Sequence, residues 1–191
     1  MKTQYYTATS LNGYLADENN SLDWLFQFGE IESLKDDYPQ FVREVGALAM
    51  GSTTYEWVVA QENLLDQPEK WPYKLPVWVF SHRKLPAVEG AELRFVRGDV
   101  GPVHAEMATA AGGKNIWLAG GGDLAGQFCD HGLLDEIILT VAPVLLGSGA
   151  PLLPRTLTAP QLKLMEVQQH DHGFVKLTYS VQRSTTRTIF R

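Results

Sequence analysis

The sequence predicts one α/β domain, a largely parallel sheet flanked by helices and closed by an antiparallel hairpin at its C-terminal end. Three observations predict it. Short apolar, β-rich runs alternate with helical stretches from Gln4 to Val141, the pattern of strand–helix–strand units. No internal repeat or low-complexity linker divides the chain. After Pro151 the pattern changes to two segments of alternating apolar and polar residues on either side of His170-Asp171-His172-Gly173, which is turn-like.

The elements follow in order. The expected strands are Gln4–Thr9, Ala47–Met50, Val77–Ser81, Leu93–Val96, Asn115–Ala119 and Ile137–Val141. Pro39–Val45 reads as a helix, with Phe41, Val42 and Val45 at helical spacing. Val103–Ala111 reads as another, preceded by Asp99 and closed by Gly112-Gly113. Gln161–Gln168 and Phe174–Gln182 form the hairpin. One domain over residues 1–183 and an exposed tail from Ser184 to Arg191 complete the division.

Composition limits the function classes. At 191 residues, 45% hydrophobic and 20% charged, the chain has ordinary globular composition and is long enough to bury most of its unfolded surface. A net charge of −6 gives no electrostatic footprint for nucleic acid or an anionic membrane. Cys129, the single cysteine, excludes an internal disulfide and a multi-cysteine metal site. The segment from Met1 to Tyr6 lacks the apolar core of a secretory signal, and no apolar run spans a bilayer, so a cytoplasmic setting is expected.

Two places share one design: apolar strand, glycine, helix. In the first, Gly51 follows Ala47–Met50 and is expected to let the chain turn tightly, with Ser52, Thr53 or Thr54 capping the helix. Taken alone, these residues read as the cap of a structural helix. In the second, Gly120-Gly121-Gly122 follows Ile116–Ala119, Asp123 is the expected cap of a helix from Leu124 to Asp130, and Gly132 ends it. Three consecutive glycines are entropically costly and make sense where a pyrophosphate approaches the backbone at a helix N-terminus. The spacing Gly120-x-Gly122-x-x-Ala125 fits the dinucleotide fingerprint formally. It lies late in the chain, however, and Ala142 stands where an acidic residue belongs, so a nucleotide site of another topology is expected. A third segment, Val77–Phe80, ends in Ser81, His82, Arg83 and Lys84, a hydroxyl, an imidazole and two cations suited to the 2′-phosphate of NADPH; without the two glycine motifs the same residues read as a solvated basic turn.

With these residues in view, the chain resembles the dihydrofolate reductase superfamily, on the side that includes the reductase domain of bacterial riboflavin biosynthesis. Five segments occur in family order: Ser10–Ala16, Met50–Glu56, Val79–Arg83, Gly120–Gly122 and Pro143–Leu152. The resemblance runs from about residue 3 to residue 182. It implies a three-layer α/β/α fold and NADPH laid across the carboxyl ends of the strands. It puts Ala8, Gly51, Ser52, Thr53, Thr54, Gly120, Gly121, Gly122, Asp123 and Leu124 on the cofactor, with Ser81, His82 and Arg83 at its adenosine end. A non-proline cis peptide within the glycine run and a homodimer are also implied. Ser52 departs from the Arg or Lys of many dihydrofolate reductases, and Asn12 from the usual Asp of riboflavin-type relatives. No zinc deaminase signature is present, so only the reductase half is resembled.

The reacting end needs a proton when an imine or carbonyl is reduced. In dihydrofolate reductases a carboxylate on the first long helix supplies it, which points to Asp37 here, with Thr140 as hydrogen-bonding neighbour. Asp36-Asp37 also reads as an acidic helix start. Asn12, Tyr14 and Trp24 lie on the loop that covers the site in relatives and are candidate substrate contacts; as packing aromatics, Tyr14 and Trp24 need no ligand. His170 and His172 fit a tight turn better than a metal site, and Cys129 fits packing better than nucleophilic chemistry. The expected activity is NADPH-dependent reduction of a pterin-like, pyrimidine-like or other small carbonyl compound. A nucleotide-binding module on the same fold without turnover is the alternative.

Overall fold

The computed structural model describes residues 1–158 and 161–182; the tail expected from Ser184 lies outside them. At the centre of the sheet β1 (Thr3–Ser10) lies between β6 (Asn115–Gly120) and β7 (Glu136–Ala142), parallel to both. Beyond β6 stand β3 (Val45–Gly51), β4 (Val77–Phe80) and β5 (Leu93–Val96), all parallel. Beyond β7 stand β10 (Val175–Val181) and then β9 (Leu162–Gln169), both pairings antiparallel. A separate two-stranded ribbon joins β2 (Tyr14–Ala16) to β8 (Ala150–Pro151). This is the expected α/β architecture with its C-terminal hairpin.

Parallel strands are buried on both faces, so alternate side chains feed two cores. In β3, Ala47 and Ala49 join Tyr5, Trp78, Met107 and Phe128 on one side. Leu48 and Met50 join Tyr55, Val77, Val79 and Trp117 on the other. The first side is covered by α4 (Val100–Ala110) and α5 (Gly122–Asp130), the second by α2 (Asp37–Arg43) and α3 (Ser52–Gln61). A third cluster of Trp24, Ala142 and Phe174 sits under the loop that carries the short helix α1 (Asp23–Phe26).

Some local expectations are corrected. The helix read over Pro39–Val45 begins at Asp37 and ends at Arg43, because Val45 is 4% exposed and opens β3. Ser52, Thr53 and Thr54 lie inside α3, whose cap is Gly51 with no side-chain bond. Gly51 has φ −79°, a conformation open to any residue, so a tight turn is not the reason for glycine there. Asp123 is likewise inside α5 rather than its cap. Asp99, by contrast, caps α4 by accepting from the Gly101 amide at 2.9 Å. No helix among the described residues is long and apolar enough to cross a membrane.

Candidate functional site

Three connected clefts run along the carboxyl ends of the parallel strands. The first, about 320 Å³, is walled by Gly51, Phe80 and Val96 from the ends of β3, β4 and β5, and by the first turn of α5. The second, about 330 Å³, lies between Gly120–Gly122 and the ribbon residues Ala16, Ala150 and Pro151. Thr53, Gly121 and Asp123 line both. The third, about 790 Å³, shares Thr7, Leu22 and Ala119 with the second and reaches α2.

The three glycines at the junction differ in what they do. Gly120 has φ +140°, a backbone region that L side chains rarely adopt, and the Gly120–Gly121 peptide is cis, as expected for this run. A Cβ on Gly121 would meet nothing within 4 Å, so its backbone lies bare to the clefts. A Cβ on Gly122 would fall 2.2 Å from the carbonyl oxygen of Pro151 and 2.4 Å from that of Leu152. Close packing, not ligand approach, therefore demands glycine at 122. The N-terminus of α5 faces the clefts through Asp123 and Leu124, and that of α3 through Ser52, Thr53 and Thr54. Neither end carries a side-chain cap, so first-turn N–H groups remain to meet an anion.

Charges around this junction are arranged in pairs. Asp123 accepts from Gln127 Nε2 at 2.9 Å and from Arg155 Nη1 at 3.2 Å. Arg155 also donates to Asp130 at 2.7 Å; its guanidinium occupies the space a Cβ on Gly126 would need, 2.7 Å from Cζ. Ser81 and His82 line the first cleft. Arg83 does not. Its two terminal nitrogens donate to Glu56 at 2.8 and 2.5 Å, a bidentate pair that turns it away. The arginine that lines this cleft is Arg97, just past β5. Sequence reasoning missed it, although the strand-end argument used for Ser81–Arg83 applies to Leu93–Val96 as well.

Asp37 and Thr140 both line the large cleft, but no hydrogen bond joins them among the described residues. Ala8, paired with Thr140 across β1 and β7, lines this cleft rather than the two at the glycine junction. Asp37 is not alone. Lys176 Nζ lies 2.8 Å from its Oδ2, each side chain 16% exposed, and His170 Nε2 lies 3.7 Å away. His170 Nδ1 donates to the Ser33 carbonyl oxygen at 3.0 Å. Nε2 has no hydrogen-bond partner among the described residues. The cleft wall is aromatic: Tyr6 stacks on Phe41 at 4.2 Å, and Tyr38 and Trp117 meet edge to face at 5.8 Å. Burial, and then the charges of Asp37 and Tyr38, push the Tyr6 hydroxyl up to about 12. Burial raises Tyr38 as well.

The remaining substrate candidates lie outside this cleft. Asn12 holds Leu146, donating to its carbonyl at 2.6 Å and accepting from its amide at 3.1 Å, so it braces a loop. Tyr14 pairs with Pro151 in the ribbon. Trp24 is 8% exposed within the third core cluster. From the same loop, Leu22, Leu25 and Phe26 line the large cleft instead. Lys176 and His170 were not readable as site residues. One needed the β7–β10 register that sets Lys176 against Thr140, and the other a fold that brings a turn to α2.

The comparisons with known proteins agree with this architecture. The family described as the RibD C-terminal domain matches residues 2–176. The uncharacterized protein YwjB of Bacillus subtilis is 32% identical over 179 residues, 93% of this chain and 97% of its own length. A solved structure from Shewanella sp. PV-4, provisionally assigned to riboflavin biosynthesis, superposes with a TM-score of 0.81 at 27% identity, covering 96% of this chain and 100% of that one. A dihydrofolate reductase from Enterococcus faecalis, complexed with NADP(H), shares the fold at a TM-score of 0.60 and 12% identity, over 95% of this chain and 97% of its own.

Proposed function

The chain belongs to the RibD C-terminal domain family, and from that premise we propose that it is an NADPH-dependent reductase of a small heterocyclic or carbonyl compound, working as a homodimer. The observation that carries the reading is the junction of two uncapped helix N-termini around the bare backbone of Gly121, at the ends of the parallel strands. A pyrophosphate there meets N–H donors and two positive dipole ends. Ser81, His82 and Arg97 would hold the adenosine end and its 2′-phosphate. The nicotinamide fits the cleft between Gly120–Gly122 and the ribbon, and supplies the hydride when bound. The aromatic cleft beyond it holds the substrate flat and keeps water out. Asp37 and Thr140 handle the substrate's polar edge and its proton, with the Lys176 ammonium and the His170 imidazole standing behind Asp37.

Equilibrium titration of NADPH and NADH, read by tryptophan quenching, tests this. Trp57 and Trp117 line the second and third clefts and report on occupancy. Tight NADPH binding with weaker NADH supports the reading; binding of neither ends it. The two ion pairs Arg83–Glu56 and Lys176–Asp37 favour a second reading, a nucleotide-binding module whose polar groups are already satisfied. Binding without turnover across a carbonyl and heterocycle screen separates the two.

A further inference from the structure

β9 is the outermost strand of the sheet on the hairpin side, eight residues long. It leaves Leu162, Leu164, Met165 and Val167 38%, 47%, 56% and 56% exposed. A long edge strand with an apolar surface is a template for pairing with another chain. The strand also carries an irregularity: Tyr179 pairs with Leu164 and Thr178 with Glu166, so Met165 is bulged out of the ladder. In a regular strand, residues three apart point to opposite faces. The bulge resets the alternation and puts Lys163, opposite Ser180, on the same face as Glu166, opposite Thr178. Leu162 and Val167, opposite Val181 and Leu177, then share the other face.

That arrangement is self-complementary. We infer that the outer edge of β9 joins two copies of this chain, paired antiparallel about a twofold axis with Lys163 of each copy against Glu166 of the other. The register brings Leu162 against Val167 of the other copy and sets Leu164 and Met165 at the centre. A twofold axis through an antiparallel pair requires opposed residues to lie on the same face, and the bulge is what meets that requirement. Among the described residues Lys163 makes no ion pair and Glu166 accepts from Gln168 alone, at 2.7 Å, so both charges remain open to a partner. The inference deepens the homodimer part of the proposed function and is independent of the reductase part.

Light scattering after size exclusion, over a concentration series, tests it on the full chain. The wild type is expected to be dimeric. Lys163→Glu or Glu166→Lys alone sets like charges together twice per dimer and raises the dissociation constant by roughly tenfold or more. The double variant K163E/E166K restores it, and that recovery also shows that the single variants fold. Leu164→Arg at the centre yields monomer with an unchanged circular dichroism spectrum. A wild-type dimer indifferent to both reversals, or a double variant without recovery, overturns this interface and leaves the homodimer reading standing. A wild-type monomer overturns both.

Discussion

Lys176 on the inner strand of the hairpin donates to Oδ2 of Asp37 at the start of α2, across 2.8 Å, with both side chains mostly buried. The pair ties the antiparallel end of the sheet to the helix that walls the large cleft. Removing only the lysine leaves a carboxylate facing little but His170, a loss of about 2 kcal/mol once partial exposure is taken into account. Lys176→Met is expected to unfold at lower urea concentration by that amount. The double variant D37N/K176M recovers most of it, because no uncompensated charge remains.

Arg83 and Arg97 separate a sequence motif from a binding surface. Arg97 lines the first cleft, while Arg83 is held by Glu56. Arg97→Gln is expected to weaken NADPH binding about tenfold, or ~1.4 kcal/mol, with little change for NADH. Arg83→Gln is expected to leave both within about twofold. Parallel fluorescence titrations decide between the two arginines.

Gly122 and Gly51 make a second contrast. Alanine at 122 drives a methyl group into the Pro151 carbonyl at 2.2 Å, and backbone cannot yield as a flexible side chain can. Gly122→Ala is expected to cost about 2 kcal/mol or more. At Gly51 the new methyl group makes an ordinary contact, 3.6 Å from the Gly121 nitrogen. Gly51→Ala is expected to stay within about 0.5 kcal/mol of wild type. Thermal unfolding of the two variants is the measurement.

The Tyr6 hydroxyl, pushed up to about 12 mainly by burial, makes stability fall with alkali. An unfolded tyrosine ionises near pH 10, so between about pH 10 and 12 the unfolded chain loses a proton that the folded chain keeps. Its contribution is complete below that window and is lost as pH rises through it, up to about 2.7 kcal/mol for two pH units. Tyr6→Phe is expected to flatten that part of the stability curve measured by urea titration from pH 9 to 12.

The fold was legible because its strands are written twice, once as β-rich apolar runs and again as glycine turns at their ends. Leu93–Val96 matches the observed strand residue for residue. Errors came where a local rule met a tertiary one. Val45 keeps helical spacing with Phe41 yet belongs to β3, since its side chain enters the core. Asp123 has the chemistry of a cap, but the chain is already helical at Gly122. At the candidate site, residues within one strand–turn–helix unit could be read from spacing, as Gly120–Leu124 were. Partners supplied by another strand could not: Lys176 meets Asp37 across 139 positions of sequence.

The ribbon of β2 and β8 has one further consequence. It forms a wall of the second cleft from two register pairs, Tyr14 with Pro151 and Ala16 with Ala150, extended by the Leu152 amide donating to the Gly13 carbonyl at 2.9 Å. So few backbone hydrogen bonds open at a free energy well below that of global unfolding. Occupancy of the cleft raises the opening cost by mass action, RT ln(1 + [L]/Kd). Deuterium uptake at Leu152 thus becomes a local gauge of ligand affinity, readable for any compound before its chemistry is known.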